Sequence, residues 1–247
     1  HGPGVERRRG IQARMMDSSD FFSTFLRSRR SVRQFSDRAV DKAVLHRLIE
    51  AATTAPSSTN RQPWRFAVVT ARDLRAKIVA SVRDRTAEMK AVIRKSHHAD
   101  AFGAYGDFFY EPLETAPVIV IPQYRDHPDQ IAYLIETGGG DPKAFHTPAS
   151  MQVDLCSTSA AVMTLLLQAH AEGLGACWMA GPTVAKADIH ALLGIREPWR
   201  MLGAVAVGHA VSAPQEAPAR RSLDRVVTFF EDGPGDPEGD AEKKGAP

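Results

Sequence analysis

At 247 residues with 43% apolar content, the chain is long enough for one large domain or two small ones around a sizeable core. Lys plus Arg total 31 against 29 Asp plus Glu, and a formal charge of +2 argues against a general nucleic-acid or membrane-surface binder. Two cysteines, Cys156 and Cys177, exclude a disulfide framework and a four-thiolate zinc site, and their scarcity fits a reducing compartment.

The chain opens on HGPGVERRRG, a basic stretch without the apolar run of a secretory signal. Residues 1–16 read as a disordered basic tail or expression remnant, and residues 232–247, rich in Pro, Gly and charge, as a second disordered tail. Between them, residues 17–231 read as one domain. Asp17, Ser18 or Ser19 can cap a first helix with Phe21, Phe22, Phe25 and Leu26 on one face. Asp41 can cap a second, in which Val44, Leu45, Leu48, Ile49 and Ala52 recur at helical spacing and which Pro56 stops. Residues 65–70, RFAVVT, read as a strand, and residues 74–94 as a charged surface helix.

Residues 117–123, PVIVIPQ, have the length and apolarity of a strand. Residues 150–172 predict a long helix that is apolar nearly all round and must be covered on most sides, which a dimer interface would do. Gly173 ends it. Residues 176–179 form a short strand candidate, Thr183 can cap a helix running to Leu193 and closed by Gly194, and residues 201–208 read as a further strand. Residues 226–230 are the last apolar run. The most apolar decapeptide, residues 160–169, contains Thr164 and Gln168 and falls short of the roughly 20 residues of a membrane span, so the sequence reads as a soluble cytoplasmic protein. Helical and strand signals interleave, as in a mixed α and β domain.

Four segments concentrate chemistry. Arg29, Arg30, Ser31 and Arg33 place three guanidiniums and a hydroxyl within five residues, a donor set that suits phosphate. The stretch APSSTNRQPWRF gathers Ser57, Ser58, Asn60 and Gln62 between Pro56 and Pro63; its carboxamides can donate and accept along the edge of a planar heterocycle. In GLGACWMAGP, Ala180 and Gly181 would let backbone N–H groups approach a flat ligand. That segment is not a dinucleotide fingerprint, because the third glycine is missing and the order runs from helix to strand. A second basic cluster, ARRSLDRVV, contains Arg220. Each segment alone also fits a plain surface or turn. His97 and His98 read as a solvated pair, with no carboxylate or thiolate at ligand spacing, so no metal site is expected.

In order and content these segments resemble the FMN-dependent nitroreductase family over residues 20–230, with APSSTNRQPWRF the most specific piece. The resemblance implies an α+β nitroreductase-like fold: a mixed, mostly antiparallel central sheet flanked by helices, in an intertwined homodimer with FMN sites at the subunit interface. It implies that Arg29, Arg30 and Ser31 hold the FMN phosphate and ribityl chain and that Arg33 lies at the pyrimidine edge, where its charge stabilises the reduced ring. Trp178, Met179, Ala180 and Gly181 would face the flavin edge, Arg220 would return to the phosphate, and Pro56, Ser57, Ser58, Asn60 and Gln62 would line the ring from the other subunit. Hydride would pass from NAD(P)H to flavin N5 and on to a nitroaromatic, quinone or similar acceptor by double displacement, with no catalytic side-chain acid or base. Alternatives are a specialised reaction on the same scaffold, such as reductive dehalogenation, flavin fragmentation or heterocycle dehydrogenation, or a non-enzymatic flavin-binding module.

Two departures bear on specificity. Residues 83–148 match no family signature and carry Tyr105, Phe108, Phe109, Tyr110, Tyr124 and Tyr133, rings that suit either a lid over the flavin or core packing. Ala180 stands where some relatives carry an acid. Cys156 and Cys177 read as buried small apolar residues.

Overall fold

The computed structural model describes residues 18–97, 105–147, 149–212 and 216–230. Contacts divide the chain into two units, residues 1–215 and 216–247. The expected tails, 1–16 and 232–247, lie outside the described residues.

Helix α1 (Ser18–Ser28) carries Asp20 in its first turn and Arg27 in its last, the charges its dipole favours. None of its residues is buried, and Phe21, Phe22 and Leu26 face outward. Among the described residues, only Phe25 of this helix finds a ring partner across the fold, its centroid 4.8 Å from His170. Helix α2 (Lys42–Thr53) buries Leu45, Leu48 and Ala52. Asp41 sits at its N-cap but makes no side-chain cap bond; its carbonyl accepts from Leu45 N at 3.1 Å.

Five strands follow. β1 (Trp64–Val69), β2 (Val118–Tyr124), β3 (Gly175–Met179) and β5 (Ala204–Gly208) form a sheet in the order β1-β2-β5-β3, with β4 (Arg200–Met201) beside β2. Every strand pair is antiparallel. Residues 201–208, expected as one strand, divide at Gly203. Its φ is +76°, and a Cβ there would stand 2.2 Å from the Met179 carbonyl oxygen, so only glycine lets β3 come so close.

Side chains alternate across the sheet, as the period of two demands. Ile119, Ile121, Cys177, Ala204 and Ala206 pack towards α3 (Arg72–Ile93) and α7 (Lys186–Leu193). Val118, Val120, Ala176, Val205 and Val207 pack in a second cluster with residues of α2 and α6 (Val153–Ala171). β2 is buried on both faces, which explains why its sequence reads as an unbroken apolar run.

Helix α6 starts three residues later than expected and is not uniformly apolar where it is buried. Asp154, Ser157 and Thr158 are among its buried residues. The Ser157 and Thr158 hydroxyls donate to the carbonyls of Val153 and Asp154, which satisfies them inside the core. Met163 stays 39% exposed and Leu155 half-buried, so the chain by itself leaves part of the helix uncovered. Gly173 (φ +71°) and Gly194 (φ +64°) end α6 and α7 in the left-handed conformation. Thr183 does not cap α7. Its hydroxyl donates to the Ala180 carbonyl within a preceding 3-10 turn (Gly181–Ala185), and α7 begins after Ala185.

Two shorter helices complete the main unit. α4 (Glu111–Thr115) buries Pro112 and Leu113, and α5 (Gln130–Thr137) buries nothing. Asp129 caps α5 by accepting from Ile131 N and Ala132 N. In the second unit, one 3-10 turn (Leu223–Arg225) precedes residues 226–230, which form no strand; Val226, Val227, Phe229 and Phe230 are exposed.

Candidate functional site

After α1 the chain runs extended across the end of β3. Ser31 bridges Ala176 in parallel, and Val32 N donates to the Ala176 carbonyl at 3.1 Å. Gly175 makes this approach possible, because a Cβ there would lie 2.7 Å from both Cβ and Cγ2 of Val32. An extended backbone sends alternate side chains to opposite sides. Ser31 and Arg33 therefore enter one cavity, while Arg30 and Val32 turn to another cleft, which Arg29, preceding the bridge at Ser31, also lines.

The first cavity has a volume of about 640 Å³. Ser31 and Arg33 meet Trp178, Met179, Ala180 and Gly181 there, so two of the four sequence segments converge. Arg33 is the sole charged residue among its described lining, and its guanidinium makes only a long 3.4 Å bond to the Ser31 carbonyl. Trp178 Nε1 donates to the Leu202 carbonyl at 3.0 Å, which fixes the indole at the rim. Tyr105, Phe108 and Phe109 form the remaining wall, with mutually edge-on rings 4.9–5.9 Å apart. Phe109 is buried against Gly181, where a Cβ would fall 2.3 Å from its ring. The two expectations for these aromatics thus divide: Phe109 joins the core and the cavity wall together, whereas Tyr105 and Phe108 stay exposed.

Of the other aromatics in that segment, Tyr110 lies under Arg83, Tyr124 under Arg200, and Tyr133 is exposed on α5. Cys177 is buried and lines the cavity, and burial pushes its thiol pKa up, so it packs as a neutral apolar group. Cys156, expected to be buried, is exposed.

The second cleft, about 240 Å³, is lined by Arg29, Arg30, His170 and Gly175 among others. Arg30 Nη1 donates to the carbonyls of Arg27 and Arg29. His170 Nε2 lies 2.7 Å from Ser28 Oγ. Burial, with Arg29 and Arg30 nearby, pulls the imidazole pKa below its ordinary 6.5.

The loop of residues 56–62 holds a strained shape. Thr59, Asn60 and Gln62 all have φ near +50°. Gln62 N donates to Ser57 Oγ at 3.0 Å, Gln62 Nε2 reaches Asn60 Oδ1 at 3.3 Å, and Ser58 N points to Ser157 Oγ on α6 at 3.4 Å. Ser157 ties this loop to α6, and sequence reading missed it, because a serine inside an apolar helix carries no local signal. None of Pro56, Ser57, Ser58, Asn60 or Gln62 lines the Arg33 cavity of the same chain. Arg220 is exposed and belongs to the second unit. Among the described residues, no three His, Cys, Asp or Glu side chains gather as a metal site, and no helix is long and apolar enough to cross a membrane. His98 lies outside the described residues.

Comparison with known proteins gives this geometry a setting. The chain is 33% identical to 5,6-dimethylbenzimidazole synthase of Rhodobacter capsulatus over 159 residues, 63% of this chain and 68% of that protein. It is 31% identical to iodotyrosine deiodinase of Haliscomenobacter hydrossis over 108 residues, 43% of this chain and only 49% of the deiodinase. A BluB-like flavoprotein from Clostridium difficile 630 has the same fold, with a TM-score of 0.74, 24% identity, and coverage of 85% of this chain and 99% of that one. The Nitroreductase family model matches residues 26–209, from α1 to just beyond β5, and the chain belongs to this family of oxidoreductases.

Proposed function

We propose that the chain is an FMN-dependent oxidoreductase that works as a homodimer, taking hydride from NAD(P)H and delivering it to a nitroaromatic, quinone or similar acceptor. The observation that carries this reading is the Arg33 cavity. Its volume of about 640 Å³ falls in the range of cofactor pockets. Its described lining holds one cation and no carboxylate, which suits an anionic ligand with a broad apolar face. Gly181, with no Cβ, lets the Phe109 ring pack against it as one wall of the cavity.

FMN would supply the two-electron hydride chemistry. The chain's own residues bind and orient it. Arg33 places an unpaired guanidinium where the pyrimidine edge would lie, favouring negative charge there. Backbone groups of Ala180 and Gly181, with Trp178 and Met179, face the ring edge. Ser31 would reach the ribityl and phosphate end, with Arg29 and Arg30 turning to the phosphate from the second cleft. No side-chain acid or base is assigned a proton-transfer role. The domain is taken to span residues 17–231, which includes the Arg220 segment.

Two features support a second copy. The loop carrying Pro56, Ser57, Ser58, Asn60 and Gln62 has donors and acceptors for a flavin edge but does not reach its own cavity. The apolar faces of α1 and α6, at Phe21, Phe22, Leu26 and Met163, lie uncovered. A two-fold interface that buries those faces would bring the loop of one copy to the cavity of the other.

Purified protein should be yellow, dimeric by sedimentation, and bleached by NADH or NADPH, with colour restored by a nitroaromatic. Colourless protein that takes up no added FMN would refute the proposal. A second reading, flavin fragmentation, draws on the 33% identity to 5,6-dimethylbenzimidazole synthase. Flavin recovered intact after many turnovers favours the first reading, and stoichiometric loss of reduced flavin under oxygen the second.

A further inference from the structure

We propose that Arg65, Arg125 and Trp199 form a phosphate subsite for the reducing dinucleotide, and that this subsite favours the 2′-phosphorylated donor, NADPH, over NADH. The inference rests on the donor reaction proposed above.

Three segments distant in sequence meet here. Arg65 is the second residue of β1, Arg125 follows β2, and Trp199 precedes β4. The guanidinium carbons of Arg65 and Arg125 each lie over the Trp199 ring, 5.4 Å from its centroid. Stacking on an indole face fixes a guanidinium without using any of its N–H donors. Neither side chain forms a hydrogen bond or ion pair with another described residue. The neighbouring carboxylate, Asp126, is instead paired with Arg200, whose guanidinium lies over Tyr124. Two oriented, unneutralised forks therefore share one indole on an exposed surface.

That arrangement suits a phosphate monoester. At neutral pH such a group carries about −1.5 to −2 charge and three acceptor oxygens, whereas each phosphate of a dinucleotide bridge carries a single charge. Two guanidiniums match the first in both charge and donor number. NADPH has such a monoester on its adenosine ribose, and NADH does not.

The location is compatible with the proposed chemistry. Arg125 N donates to the Pro63 carbonyl at 3.1 Å, and Arg65 pairs with Gln123 across β1 and β2. The stack is thus tied to the end of the loop whose Asn60 and Gln62 are proposed to meet the flavin. Arg61, held by a 3.1 Å bond from Nε to Thr59 Oγ1, adds a further cation to that loop.

The test compares NADP⁺ with NAD⁺ by calorimetry on FMN-loaded protein, wild type against the Arg65→Gln/Arg125→Gln double variant. NADP⁺ should bind the wild type about tenfold or more tightly than NAD⁺, as expected for charge-assisted bonds, and the variant should erase that gap while retaining FMN. In steady state the variant should raise KM for NADPH and leave kcat in place, because a remote phosphate contact is uniform binding. Equal affinities in the wild type, or a gap that survives in the variant, would overturn the subsite. If neither nucleotide reduces the flavin although the NADP⁺ gap is present, the donor reaction fails and the subsite stands.

Discussion

The contact between Gly175 and Val32 gives the sharpest prediction. Gly175→Ala would put a Cβ 2.7–2.8 Å from three Val32 carbons, and ordinary carbon contacts are about 3.5 Å or more, so roughly 0.8 Å of displacement is required. The displaced segment is held to β3 by Val32 N donating to the Ala176 carbonyl at 3.1 Å, and it carries Ser31 and Arg33 on either side. Overpacking of this kind costs about 1–3 kcal/mol, which lowers Tm by about 2–12 °C for a domain of this size. FMN affinity should fall about tenfold as Arg33 moves, the scale of one charge-assisted hydrogen bond. The diagnostic is the partner variant: Val32→Gly removes all three of those carbons, so Gly175→Ala/Val32→Gly should recover at least about 1 kcal/mol relative to additivity. Thermal unfolding by circular dichroism and FMN fluorescence titration on the four proteins measure both quantities. A Gly175→Ala protein with unchanged Tm and unchanged FMN affinity would show that this contact does not position the segment.

Two further outcomes follow from named groups. Arg33→Ala should weaken FMN binding or lower the flavin reduction potential, read by fluorescence and by spectroelectrochemistry; unchanged values in both would remove Arg33 from the site. Arg47 on α2 grips Glu172 at the end of α6 through two 2.7 Å bonds, and Gln168 adds a third, holding the Glu172 carboxyl at about 2 against an ordinary 4.5. Because the folded value is the lower one, this contribution to stability is full above the ordinary value and is lost as pH falls from about 4.5 towards 2. The Tm difference between wild type and Arg47→Gln should therefore shrink over that acid range, and a difference independent of pH would show that the ion pair is not its source.

Much of the site was legible as segments and little of it as geometry. The Ser31 and Arg33 pair and residues 178–181 were readable because their residue types are local and ordered along the chain. That Ser31 and Arg33 share a cavity, while Arg30 and Val32 turn to another cleft, follows from an extended backbone laid across β3. The uniform apolarity read into residues 150–172 missed Ser157, because a hydroxyl that bonds back to its own helix leaves no trace in the hydropathy pattern. The break at Gly203 was hidden for a similar reason: glycine next to a strand pattern does not say which carbonyl it must clear.

The sequence by itself determined the local elements, whose signals span a few neighbouring residues: the helical spacing of α2, the double-sided apolarity of β2, and the glycine stops after α6 and α7. It also carried the motifs that place the chain in its family. The tertiary structure alone decided what depends on sheet order and close approach. It seated Val32 on Gly175 and Phe109 on Gly181, left Phe21 and Phe22 of α1 outward, and gathered Arg65, Arg125 and Trp199 from three separate segments. Such contacts join residues tens of positions apart, and no periodicity along the chain encodes which of them will meet.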